Sequence, residues 1–189
     1  MSLVDIQKNT KIKAGEDGVK VWNLKTRKQI TIPQQPVNKL SEVSCVCWVT
    51  RRNETVDTLC YGNGAGFLVF LQHHATEVST GSYPCPGSLQ RTDSMTQGCF
   101  EAVHSARLAR GEEITCITAD ISGEKTVRIA TGTRDRCVHV WLFDSSTREL
   151  KKVYSMEYSS DKGIVPKALA FDSNEERDFY VFGLYDGGL

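Results

Sequence analysis

The sequence predicts an all-β chain assembled from one repeated antiparallel unit, and three observations carry that prediction. β-Branched and aromatic runs bounded by Gly, Asp, Asn or Ser dominate, among them VKVWNL (19–24), VSCVCWV (43–49), FLVFLQ (67–72) and VHVWLF (138–143); such runs are strands separated by turns. A Gly-led turn entering a strand of the form apolar-x-apolar-aromatic recurs in GEDGVKVWNL (15–24), GNGAGFLVFLQ (62–72) and GTRDRCVHVWLF (132–143). Matched at their aromatics, these rows bring Trp22, Phe70 and Trp141 into register, with Val19/Val21, Phe67/Val69 and Val138/Val140 on one strand face. Upstream of the turns, EVSCVCW (42–48) corresponds to EITCITA (113–119) and KALAFD (167–172), so each unit has at least three strands in one order.

The elements follow in chain order. The first unit contributes about 10–34 and lacks its innermost strand. The second runs from 42 to about 110, and the Trp22-to-Phe70 spacing is close to the roughly 40–50 residues of a four-stranded blade. The longer spacing from Phe70 to Trp141 is accounted for by EVSTGSYPCPGSLQRTDSMTQG (77–98), a polar insertion that reads as a long mobile loop between the third and fourth strands. AVHSARLAR (102–110) has some helical spacing, but Ala102, His104, Ala106 and Leu108 alternate, and we read a strand. The third unit takes 113–158. The fourth begins near Val165, and GLYDGGL (183–189) starts its turn. These units divide the chain at 1–34, 35–110, 111–158 and 159–189.

Composition narrows the partner classes. Among 189 residues, 23 Lys and Arg balance 23 Asp and Glu, so no net field draws the chain to nucleic acid or an anionic membrane. The start MSLVDIQKNTKIK carries Asp5 and Lys8 where a secretory signal needs apolar residues, and no segment approaches the about 20 apolar residues of a membrane span. An intracellular protein, cytoplasmic or nuclear, is expected. The seven cysteines (45, 47, 60, 85, 99, 116 and 137) mostly alternate with apolar residues in strand-like runs and read as buried free thiols.

The turns EDGVKVWN (16–23) and TRDRCVHVW (133–141) resemble the third-strand signature of WD repeats, and most of residues 10–189 is similar to the WD-repeat-like proteins of mushroom-forming fungi. The resemblance implies a partial β-propeller of WD40 type, about three blades plus a stub and not closed. It implies a non-catalytic scaffold that binds a protein or peptide partner, with no cofactor and with neither nucleic acid nor membrane as partner. In the family a His, a turn Asp, a Ser or Thr and the Trp form a hydrogen-bonded set. Here no Gly-His occurs, and the Trp-Asp pair becomes Trp22-Asn23, Phe70-Leu71 and Trp141-Leu142. Asp17, Asp135 and Asp186 keep the turn role, while the second blade has Gly64 and Ala65 there. An open fan leaves its end faces uncovered. The chain is therefore expected to be a fragment of a longer propeller or a truncated gene product, or to self-associate.

Candidate chemistry is sparse. GNGAG (62–66) superficially resembles a phosphate loop but leads into a strand, and SGEKT (122–126) lies between two strands, so both read as turns. His73 and His74 with Cys85 and Cys99 lack zinc spacing. Cys45 and Cys47 share one strand face, as core residues do. His104 and His139 have no nucleophile with a recognisable signature nearby. Lys25, Arg27, Lys28, Lys151 and Lys152 read as solvated loop charges. The turn Arg134, Asp135, Arg136 is the candidate for partner binding, since the WD-repeat resemblance opens it onto the usual partner face and Arg is favoured at interface hot spots. Asp135 also suits a purely structural turn role. The alternative from another class is a propeller hydrolase or lyase with Asp17, Asp135 and Asp186 as axial acids.

Overall fold

The computed structural model describes residues 3–7, 10–15, 18–25, 27–30, 32, 42–51, 54–74, 99–108, 111–123, 125–157, 165–171 and 180–185. All regular structure among them is strand. The first sheet is β1 (Leu3–Gln7), β2 (Thr10–Gly15), β3 (Gly18–Asn23) and β4 (Lys28–Ile30), and the second is β5 (Val43–Trp48), β6 (Thr58–Asn63), β7 (Phe67–His74) and β8 (Cys99–Arg107). The third is β9 (Ile114–Asp120), β10 (Val127–Thr133), β11 (Cys137–Asp144) and β12 (Glu149–Glu157), and the fourth pairs β13 (Val165–Phe171) with β14 (Tyr180–Tyr185). All pairings are antiparallel between sequence neighbours. The first strands line one side of the arc: β5 packs beside both β1 and β9, and β9 beside β13. No helix among the described residues is long and apolar enough to cross a membrane.

The second sheet is central, which explains why FLVFLQ is apolar at nearly every position. Leu59, Tyr61, Val69 and Leu71 point toward the first sheet and pack with Ile12, Ala14 and Val21, while Cys60, Leu68 and Phe70 point the other way onto Ile129, Trp141 and Phe143. Every residue of β6 is buried. In β3, by contrast, only Val21 is buried. The stretch 102–107 is strand, as its alternation predicts. The insertion at 77–98 lies outside the described residues.

The pairing register corrects two expectations. The first sheet has four strands where the spacing predicts three, because Leu3–Gln7 pairs with Thr10–Gly15. A run beginning so close to the N-terminus offers no turn signal on its upstream side. The second correction concerns Phe70. Gly62 pairs with Leu68 and Gly132 with Val138, so Leu71, and not Phe70, is the counterpart of Trp141. A bulge in the outermost strand repeats the same offset, since Phe70 and Leu71 pair with His104 and Ala102 just as Val140 and Trp141 pair with Tyr154 and Lys152. Matching by aromatic residue slips the second row by one position, and in a strand one position changes the face.

The sheets are joined by a repeated device on the innermost strands. Those of the second, third and fourth sheets carry a bulge at the same place, at Ser44, Thr115 and Lys167, and a bulge re-aims the side chain it carries. Ser44 Oγ donates to the carbonyl of Ile114, and Thr115 Oγ1 donates to that of Pro166 at 2.5 Å. Beside each bond stands a glycine that admits the neighbouring sheet: a Cβ at Gly62 would meet Ile114 at 2.7 Å and the Cys45 sulfur at 2.8 Å, and one at Gly132 would meet Pro166 and the Cys116 sulfur, both at 2.7 Å.

Candidate partner-binding rim

The β10–β11 turn is held by its own atoms. The Arg136 amide donates to the Thr133 carbonyl at 3.0 Å, and Thr133 Oγ1 donates to Asp135 Oδ1 at 2.5 Å. Arg136 has φ 68°, while its counterpart Gly66 in the β6–β7 turn has φ 76°. A left-handed backbone suits glycine and strains an arginine by about 1–2 kcal/mol. In the β6–β7 turn Asn63 Oδ1 accepts from the amides of Ala65 and Phe67 at 3.1 and 2.9 Å, so one backbone shape is built there with different side chains. GNGAG is thus a strand-to-strand turn.

Arg134 is tied to the preceding segment twice. Its amide donates to the Glu113 carbonyl at 2.9 Å, and its guanidinium lies 3.0 Å from the Glu113 carboxylate with its side chain 67% exposed. Asp17 and Asp186 lie outside the described residues. Among the three turn aspartates the structure therefore describes Asp135 alone, bonded within its own turn.

Beside this turn a groove of about 330 Å³ opens between the segment after β8 and the β11–β12 ribbon. Leu108 and Glu112 form one wall, and Asp135, His139, Lys152 and Ser155 form the other. His139 Nδ1 is 2.8 Å from Ser155 Oγ, and its ring meets Trp141 edge-on with centroids 5.9 Å apart. The Lys152 ammonium stands 5.9 Å from the Trp141 ring centroid. Trp141 is fixed from within, since its indole N–H donates to Thr131 Oγ1 at 3.1 Å. That bond supplies the Trp-to-Thr part of the hydrogen-bonded set that the WD resemblance implies. Sequence reasoning treats His139 as a variable strand site, because the groove exists only where Leu108 and Glu112 lie beside β11 in the fold.

Among the described residues, burial and local hydrogen bonds set the direction in which titrating groups are shifted. Partial burial acts to raise the Glu54 pKa, but hydrogen bonds from Arg51 and Ser145 outweigh it and hold the carboxyl below its ordinary value. Burial likewise opposes the shift at Asp120, where bonds from Ser122 and the Arg128 ion pair at 2.6 Å win and lower it. Hydrogen bonds from Ser146 lower Asp144. Burial pushes the Cys45 thiol up to about 12 and raises Cys60 and Cys116. Burial lowers His73, whose ring packs on Phe100 at 5.1 Å, and His104 meets Phe70 edge-on at 5.9 Å. His74 lies 3.2 Å from Glu101, and Cys85 is outside the described residues.

No family model matches the chain, and no curated protein matches it. Solved structures do. A crystal structure of the RRP9 WD40 repeats superposes with a TM-score of 0.61 at 17% identity, covering 97% of this chain and 47% of that one. A structure of U3-55K gives 0.58 at 18% identity, covering 94% and 45%. The chain thus spans about half the length of the solved structures it resembles. At this identity the likeness speaks to fold, and the fold of the chain is an all-β, WD40-type propeller arc whose sheets are not closed into a ring.

Proposed function

We propose that the chain is a non-catalytic interaction scaffold that engages a protein or peptide partner at the rim made by Arg134, Asp135, Arg136 and the groove beside His139. One observation carries this reading: the turn presents Arg134 largely to solvent, and arginine is a favoured interface anchor. The same reading divides the chain into blades at 1–34, 35–110, 111–158 and 159–189, places it inside the cell, in cytoplasm or nucleus, and keeps the kinship with fungal WD-repeat-like proteins.

The enzyme alternative asks for converging carboxylates with raised pKa values. Asp135 instead accepts a hydrogen bond from Thr133 in its own turn. The test is capture of partners from an extract by the immobilised chain, in parallel with an Arg134→Glu variant and an Arg136→Gly variant. Partners held by the parent chain and lost with Arg134→Glu, at unchanged near-UV circular dichroism, support the rim. Identical capture by both variants contradicts it.

A further inference from the structure

The second and third sheets end in long outer strands, β8 and β12, each bound to its sheet along one edge among the described residues. Both strands carry a one-residue bulge at the same place, at Val103 and at Val153. The two edges are finished differently. Val103 packs against the core between the second and third sheets, Arg107 lies 5.7 Å from the Phe67 ring centroid, and Glu101 stands 3.2 Å from His74. In β12 the equivalent Val153 is 47% exposed, and Tyr154 beside it is 53% exposed. A strand edge offers a row of backbone N–H and C=O groups to another strand, and an exposed apolar pair adds side chains for it to cover. Lys151 and Lys152, both exposed, select that strand, since like charges opposite them are unfavourable and carboxylates favourable.

We infer that β12 pairs edge to edge with β12 of a second copy of this chain, antiparallel and with the two-fold axis at Tyr154. A two-fold interface must be self-complementary, and the strand ELKKVYSME (149–157) meets that condition in this register. Tyr154 faces its own copy, Val153 faces Ser155, Lys152 faces Met156, and Lys151 faces Glu157 on both sides of the axis. Aromatic and opposite-charge pairs of this kind are the favourable cross-strand combinations. Neighbouring registers are poorer: an axis at Val153 sets Glu149 against Glu157, and an axis at Lys152 sets that lysine against itself. Glu157 also has a contact within its own chain, which a carboxylate with two oxygens can keep while accepting a second donor. This inference goes beyond the partner-binding rim and fails separately from it, since Lys151 and Tyr154 do not line the groove.

Sedimentation velocity on the 189-residue chain over a concentration series tests the inference. The parent chain is expected to show a monomer–dimer equilibrium. Lys151→Glu sets like charges opposite Glu157 at both symmetry-related pairs and is expected to weaken association about ten-fold. Tyr154→Lys, which opposes two ammonium groups at the axis, is expected to weaken it at least as much. Lys151→Glu combined with Glu157→Lys reverses both members of each pair and is expected to recover most of the loss. Positions 151 and 157 stand about 20 Å apart along one strand, so that recovery arises across the joint and not within a chain. A parent chain that stays monomeric, either single variant dimerising as tightly as the parent, or a folded double variant no tighter than Lys151→Glu overturns the inference. Near-UV circular dichroism checks folding. Where Glu157→Lys unfolds the chain, the two single variants at exposed positions decide alone.

Discussion

The joint between the second and third sheets and the outer face of the first sheet are two versions of one surface. At the joint, Phe70 stacks on Phe143 with centroids 4.2 Å apart and planes 14° apart, and Trp141 is buried and hydrogen-bonded to Thr131. On the outer face the same register places Trp22 among lysines. The tryptophan is common to both surfaces, while its cross-strand neighbour differs, Ile129 at the joint and Lys11 on the outer face.

Substitutions should separate the two surfaces. The largest effect is expected from Phe70→Ala, which empties a fully buried site facing the third sheet and costs about 3–5 kcal/mol. Trp22→Ala, on the half-buried outer face, is expected to cost under about 1 kcal/mol. Urea midpoints for both variants check this, and equal losses would erase the distinction between joint and end. Gly62→Val pushes a side chain into Ile114 and the Cys45 sulfur and is expected to cost about 1–3 kcal/mol. Ser44→Ala removes one inter-sheet hydrogen bond, worth about 1 kcal/mol in the same measurement.

A further contrast depends on pH. Glu54 bridges the sheets, with its carboxylate 2.6 Å from the Arg51 guanidinium and bonded to Ser145 in the β11–β12 turn. Its folded pKa is lowered, so its contribution is complete above the ordinary carboxylate range near about 4 and is lost as pH falls through the folded value. Stability should therefore decline on acidification, and less steeply in Glu54→Gln, as denaturation at several pH values will show.

Much of the fold is legible in the sequence because alternation and turn residues are local. The strands at 19–23, 43–48, 67–72 and 138–143 follow from β-branched runs between glycines, and the inner-strand match of 42–48 with 113–119 proves to be a repeated joint. The position of Phe70 was harder to read, because an aromatic at the wrong parity looks identical in a string; only the count from Gly62 reveals it. The candidate site was half legible. The turn at 134–136 is visible as Gly-Thr-Arg-Asp-Arg, but the groove at His139 joins residues from two sheets, and the strain at Arg136 is a property of the backbone.

The central claim is that Phe70 belongs to the face turned toward the third sheet. A double-mutant cycle with Phe70→Leu and Phe143→Leu, read by urea denaturation, tests it most directly, with Val21→Ala on the first sheet as the alternative partner. Stacked rings predict a coupling of about 0.5–1.5 kcal/mol between Phe70 and Phe143, with Phe70 and Val21 simply additive. Coupling to Val21 and additivity with Phe143 would place Phe70 on the opposite face and contradict the register on which the account rests.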